Sequence, residues 1–274
     1  MATIKEIADY LGISISTVSK GLNGASDISE ELRQTVLDTA VEMGYSTKRS
    51  KKEEYRKLCM FITNVEYETL DTFGYDIVLG FKQNAFQHKW DVTVVEIDHE
   101  FQKQEKYDTY LLKHGYCGAF ILGLALQDPW MQQMKTTTMP TVLFDNIIDG
   151  NPNVGYLGTD SYEGIHMAVE HLVNLGHKKI AFLNGSLYNR VSDERQEAFD
   201  DLIISCHHAS IEYKVECNAR MMARDYYIED SAQYHVPRFL KEGATAIVCA
   251  SDLLAKGAIS DCIKHGYRVP EDIS

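Results

Sequence analysis

No stretch of about eighteen apolar residues occurs in this chain, so nothing in it reads as a membrane span. No basic leader runs into an apolar core and a cleavage site. Met1-Ala2-Thr3-Ile4-Lys5-Glu6 passes straight into an amphipathic pattern, and the expected compartment is the cytoplasm. The six cysteines, Cys59, Cys117, Cys206, Cys217, Cys249 and Cys262, contain no C-x-x-C pair. Cys59 and Cys249 fall in apolar strand-like runs, and reduced, buried thiols are expected. Glycine-rich phosphate loops are missing, as is any serine, histidine and aspartate order that would suggest acyl transfer. His207-His208 adjoin Cys206, with Cys217 downstream, but adjacent histidines point apart and no ladder of further ligands surrounds them. Neither a metal, nor a cofactor, nor catalysis is expected.

What is present is a folded composition: 45% hydrophobic and 24% charged, which supports one large or two ordinary domains with real cores. The net charge of −13 is unevenly spread. Residues 1–57 carry nine basic and nine acidic side chains, and the remaining 18 basic and 31 acidic residues hold the whole excess. Lys48, Arg49, Lys51, Lys52, Arg56 and Lys57 crowd one short stretch. Screening confines an exposed charge to about 8–10 Å, so this local cluster, not the acidic bulk, decides contact with a polyanion.

The first fifty residues read as three short helices. Thr3 with Glu6 forms a capping box, and Ile4, Ile7, Ala8 and Leu11 make one apolar face. Gly12-Ile13-Ser14 breaks that helix, and a second runs from Ile15 to Leu22 with Val18 and Leu22 inward. Asn23-Gly24 stops it. Ser29 caps a third, whose first turn carries Glu30 and Glu31 and whose buried stripe is Leu32, Val36, Ala40 and Met43, ended by Gly44. The second helix keeps a polar outer face of Ser16, Ser19 and Lys20, with Ile15 and Thr17 at its entry. Short side chains let a backbone approach base edges, Lys can reach a guanine edge or a phosphate, and Ile15 can meet a thymine methyl. The tight turn at Gly12 favours a helix-turn-helix over a generic three-helix bundle with a solvated face.

From Leu58 strands and helices alternate. Strands are expected at 58–63, 92–97, 119–122 and 141–144, with helices at 76–88, where Ile77, Phe81 and Ala85, with Val78 beside them, turn inward, and 105–114. The plan repeats: Ile165, Ala168, Val169, Leu172 and Val173 stripe a helix closed by Gly176, followed by strands at 179–183, 211–217 and 244–250 and helices at 231–241 and 253–265. Such runs make parallel sheets covered on both faces. Two sheets in series suggest two lobes of a sensor that binds a ligand at the carboxyl ends of the strands.

The words Thr3-Ile4-Lys5-Glu6-Ile7-Ala8, Gly12-Ile13-Ser14, Ser16-Thr17-Val18-Ser19-Lys20, Leu22-Asn23-Gly24 and Met43-Gly44-Tyr45 resemble the start of LacI/GalR-family repressors. His171–Leu183, Ser192–Phe199 and Ala250–Ala258 resemble the family's second-lobe helix and strand, its arginine loop and a later strand-to-helix turn. The resemblance implies an α/β fold: a three-helix DNA-binding headpiece at 1–46, a basic linker at 47–57 and a two-lobed periplasmic-binding-protein-like sensor at 58–160 and 161–274. It implies that Ile15, Ser16 and Lys20 face bases and that Ser14, Thr17 and Asn23 hold phosphates, although the family more often has Arg at the Lys20 position. It places Arg195, Asp160, Asp252, the stacking aromatic Tyr226, and Phe73 and Tyr75 around an effector, with Asp145 and Asn189 as weaker members. Asp252 also has the position of a helix cap, Arg195 that of a surface ion pair, and Tyr226 that of a packing residue.

Two stretches depart from the family pattern. The family's linker has a proline and a small-residue helix with a minor-groove leucine, whereas Ser46–Lys57 has no proline, alanine or leucine. Weaker operator bending is expected, with the linker either solvated or laid on phosphates. The chain stops at Tyr267–Ser274, a phrase that leads onward into a buried strand in the family, so the second lobe is expected to be incomplete and the chain a fragment or a truncated frame. The expected function is a homodimeric regulator, a repressor in the family's usual mode, on a pseudopalindromic duplex and tuned by a small ligand, most often a sugar. A DNA-binding protein with an unresponsive sensor, or a solute-binding transport protein of the same sensor fold, are the alternatives.

Overall fold

The computed structural model describes residues 2–45, 56–70, 72–187, 189–208, 217, 219–225 and 229–274. The chain divides into two compact units, Met1–Gly158 and Thr159–Ser274.

The first unit opens with α1 (Ile4–Leu11), α2 (Ile15–Asn23) and α3 (Glu30–Glu42). The capping box forms: the Glu6 N–H donates to Thr3 Oγ1 at 3.3 Å, and the Thr3 N–H donates to the Glu6 carboxylate at 2.7 Å. Ser14 and Ser29 cap α2 and α3. Gly24 ends α2 at φ +67°, beneath the Arg33 guanidinium, where a side chain would be both strained and crowded. Ile7, Ala8, Val18, Val36 and Ala40 close the small core, as their spacing demands. Leu37, outside the expected stripe, is fully buried with them.

Strands β1 (Arg56–Ile62), β2 (Trp90–Glu96), β3 (Ala119–Leu122), β4 (Thr141–Phe144) and β5 (Val154–Leu157) form an all-parallel sheet in the order β2-β1-β3-β4-β5. Between them lie α4 (Phe73–Gln87), α5 (His99–Gln104), α6 (Tyr107–His114) and α7 (Pro129–Gln133). Both faces are covered, so alternate residues of β1 go to different cores. Met60 and Ile62 pack with Val78 of α4, while Cys59 and Phe61 pack with Tyr107, Leu111 and Trp130. The Phe61 ring meets Trp130 edge-on at 4.9 Å, and Trp130 Nε1 donates to the Glu105 carbonyl at 2.8 Å.

Several expectations are corrected. β1 begins at Arg56 rather than Leu58, because Arg56 and Lys57 pair in register with Trp90 and Asp91. The Arg56 guanidinium lies over the Trp90 ring, 5.2 Å from its centroid. α4 begins at Phe73, earlier than residue 76. The expected helix at 105–114 is α6 alone, separated from α5 by extended backbone at Glu105.

α6 also carries the headpiece. Leu112 is buried in the headpiece core. Asp38 of α3 accepts from Thr109 Oγ1 at 2.8 Å and from Lys106 Nζ at 3.2 Å, and Glu30 pairs with Lys113 at 3.2 Å. On its opposite side α6 is locked into the lobe by Tyr107, whose hydroxyl bonds Thr141 Oγ1 of β4 at 2.6 Å.

The second unit contains α8 (Ser161–Asn174), β6 (Ile180–Asn184), α9 (Arg190–His208), β7 (Met222–Arg224), α10 (Val236–Lys241), β8 (Ala246–Cys249) and α11 (Asp252–Lys264). The parallel sheet runs β7-β6-β8. Phe182 and Phe199 stack at 4.5 Å in its core, with Phe239 and Leu254 also buried. The strand expected at 211–217 falls on residues of which 211–216 lie outside the described ones; among the described residues β6 pairs with β7 and β8. The helix expected at 231–241 is a 3-10 turn, Glu229–Tyr234, followed by α10 with Pro237 in its first turn. Beside β8, Ile247 N–H donates to the Ser274 carbonyl at 2.8 Å and Ser274 N–H donates to the Thr245 carbonyl at 3.1 Å. Ile273 is buried.

Candidate functional site

The outer face of α2 follows from its caps. Ser14 Oγ accepts from the Thr17 N–H at 3.0 Å and shares hydrogens with the hydroxyls of Ser16 (2.7 Å) and Thr17 (2.8 Å). Three hydroxyls thus gather at the helix N-terminus. No acidic residue occupies that first turn, so the positive end of the helix faces outward unopposed, as a phosphate requires. Ser14, Ile15, Ser16, Lys20 and Asn23 are exposed and Thr17 is half-buried. Ile15 leaves 53% of its surface in solvent, unusual for a β-branched apolar residue with a core nearby, and available to a thymine methyl. Asn23 turns its amide back onto the Ser19 carbonyl at 2.8 Å. Lys20 is ion-paired with Asp27 of the α2–α3 turn. That partner holds the Asp27 carboxyl below the ordinary aspartate range.

In the first lobe Phe73, Tyr75 and Asp145 lie around the carboxyl edge of the sheet. Phe73 and Tyr75 occupy the first turn of α4, and Asp145 follows β4 at φ +61°. Phe73 stays largely exposed while its ring meets Phe144, the last residue of β4, edge-on at 5.6 Å. A side chain on Gly158 would run into both Tyr156 Oη and Asp145 Oδ1, so these three residues converge. Phe144 and Tyr156 were not anticipated: one is a strand-end aromatic, the other sits in a strand with little apolar pattern. The same edge is shaped by Gly123, whose φ of +86° and contact with the Thr63 carbonyl leave no room for a Cβ.

In the second lobe the carboxyl edge gathers Asn189, Arg195 and Asp252. Arg195, in the second turn of α9, reaches across to the end of β8 and donates from Nη1 to the Ala250 carbonyl at 2.6 Å. Asn189 precedes α9, and its Oδ1 accepts from the N–H groups of Val191 (3.0 Å) and Ser192 (3.3 Å). Asp252 is exposed in the first turn of α11, and Ser251, not Asp252, caps that helix, accepting from the Leu254 N–H at 3.3 Å. Asp160 is exposed and caps α8 through the Glu163 N–H at 2.9 Å. Tyr226 lies outside the described residues. Asn184 was missed: it is fully buried at the end of β6, donates to the Ser192 carbonyl at 2.8 Å and accepts from the Gly185 N–H at 2.8 Å. A lone amide closing an apolar strand was the available signal. Asp225, just after β7, pairs with His235 at 2.8 Å, and Arg224 bonds Asp193 at 2.7 Å. A guanidinium, amides and carboxylates along one edge can serve hydroxyls of a ligand as donors and acceptors. A separate open hollow of about 550 Å³, lined by Leu175–Lys179, Thr245 and Pro270–Asp272, opens at the opposite, amino end of these strands.

Among the described residues no group of three or more His, Cys, Asp and Glu is arranged to hold a metal, and no helix is long and apolar enough to cross a membrane.

Residues 3–48 match bacterial regulatory proteins of the lacI family, and residues 63–274 match periplasmic binding proteins and the sugar-binding domain of the LacI family. The chain belongs to the LacI family. It is 26% identical over 279 residues to the HTH-type transcriptional repressor PurR of Mannheimia succiniciproducens, covering all of this chain and 80% of that one. It is likewise 26% identical to the NTD biosynthesis operon regulator NtdR of Bacillus subtilis, of which it covers 81%. Among solved structures, the lac repressor dimer bound to operator and the anti-inducer ONPF shares 26% identity and a TM-score of 0.62, with all of this chain and 81% of that one covered. The CelR–cellobiose complex shares the fold at a TM-score of 0.65 and 23% identity, covering all of this chain and 81% of that one. This LacI-family chain is therefore a DNA-binding transcriptional regulator with a ligand-binding sensor, from a family of regulators.

Proposed function

We propose that this LacI-family protein works in the cytoplasm as a homodimeric repressor whose two α2 helices read successive major grooves of a pseudopalindromic operator, and whose affinity for it is set by a sugar. The observation that carries the reading is the exposed α2 face: Ile15, Ser16 and Lys20 stand outward while Val18 anchors the helix inside. In this arrangement Ile15, Ser16 and Lys20 contact base edges, and Ser14, Thr17 and the α2 N-terminus take phosphates. The structure departs from one part of this assignment: Asn23 bonds its own helix and needs to rotate to reach a phosphate.

The sensor lobes begin at the linker and near residue 160. Their effector is contacted by Phe73, Tyr75 and Asp145 in the first and by Asp160, Asn189, Arg195 and Asp252 in the second, with Tyr226 as the stacking ring. Support comes from the described residues among them, which lie at the carboxyl strand edges of their own lobes, where ligands of parallel sheets bind. The effector acts as a sugar would, shifting operator affinity by a coupling free energy of about 1–3 kcal/mol. Selection from a randomised duplex library tests the reading. Lys20→Ala and Ile15→Ala each flatten the preference at distinct base pairs. Unchanged preferences in both variants overturn the assignment of α2 as the reading helix.

A further inference from the structure

Between Gly12 and Ser29 the sequence contains one cation, Lys20, and one anion, Asp27, and the fold joins them. Both side chains remain about half exposed, so they can face a duplex together. Asp27 is not needed to start α3, because Ser29 supplies that cap. We propose that Asp27 is a specificity-determining residue, which makes Lys20 select uncharged base acceptors over phosphates.

The proposal rests on Lys20 lying at the DNA, and its logic is charge balance. An ammonium has three hydrogens to donate. Asp27 takes one and cancels the charge, and the others stay directed outward. A guanine edge presents O6 and N7, which are neutral acceptors, so Lys20 can bond them without leaving Asp27. A phosphate is anionic. To reach it, Lys20 must either bring Asp27 close to a like charge or abandon it, exchanging one anion for another with little gain. On an arbitrary duplex the pair therefore stays closed and releases no counterion. Only a correctly placed base offers Lys20 an added bond.

The experiment uses the full chain and the Asp27→Asn, Lys20→Ala and doubly substituted variants. Binding to a fixed random-sequence duplex is measured over a salt series, and base preference is measured by selection from a randomised duplex library. Asp27→Asn is expected to bind the random duplex more tightly and to steepen the slope of log Kobs against log salt by about 0.9, the value of one further phosphate contact. Its preference at the base pair read by Lys20 should flatten. The double variant should return to the wild-type slope. An unchanged slope in Asp27→Asn overturns the proposal, as does a steep slope that persists in the double variant, since Lys20 is then not the freed group. If Lys20→Ala alone leaves every base preference intact, the failure lies with Lys20 as a reading residue, and the proposal falls with it.

Discussion

Replacing Arg195 with alanine separates the sensor's architecture from its ligand chemistry. The guanidinium donates to the Ala250 carbonyl at 2.6 Å, and Ala250 is buried at the end of β8. Removing a charged donor from a buried carbonyl costs about 1.5–3 kcal/mol, a roughly ten- to hundred-fold loss in the ratio of folded to unfolded second lobe. Arg195→Lys keeps the charge but not the planar fork, so it should recover part of that stability and none of a forked contact to a ligand. A panel of sugars is screened by thermal shift on the wild-type chain, and the best compound is then titrated against the selected duplex by anisotropy. Arg195→Ala should melt earlier, bind the duplex as the wild type does in the absence of sugar, and give no response to the compound. A full response in Arg195→Ala would refute its placement at the ligand. Wild-type stability would refute the tie between α9 and β8.

Gly123→Ala should destabilise the first unit by at least about 2 kcal/mol, because φ is +86° and the new Cβ collides with the Thr63 carbonyl. Urea unfolding checks it, and a wild-type midpoint would contradict the collision. Asp272 is held at a pKa of about 2 by the Arg268 side chain, below its ordinary 3.8. A depressed carboxyl stabilises the fold above pH 3.8 and loses that contribution as pH falls toward 2. Thermal scans of the wild type and Asp272→Asn should therefore differ at pH 5 and converge near pH 2, with the difference vanishing if the pair is only a surface encounter.

The helices of the headpiece were legible because their signals are local. Thr3 with Glu6, Ser14, Ser29 and Gly24 lie within four residues of the groups they satisfy. β3 and β4 were also legible, as short apolar runs bounded by loops. What escaped depends on distant partners. β5 has one half-buried and three exposed residues, and it is a strand only because β4 supplies its hydrogen bonds. The break between α5 and α6 falls at Glu105-Lys106, where neither glycine nor proline marks it. α7 was missed although Asp128-Pro129 is a recognisable helix start. The residue type at Arg195 shows only what a guanidinium can offer a ligand. Its bond to a backbone carbonyl 55 residues away leaves no trace in residue type. For the same reason the Asp38 and Glu30 contacts to α6 could not be read from α3 alone.

Those contacts mean that the reading head is not a detachable cartridge. Leu112, a residue of the sensor, finishes the interior of the three-helix bundle, and Lys106, Thr109 and Lys113 meet acids on α3. A chimera that grafts another regulator's first three helices onto this sensor inherits an α6 shaped for a different guest. Unless the graft brings an apolar socket for Leu112 and carboxylates opposite Lys106 and Lys113, it will tether the new head by the linker alone.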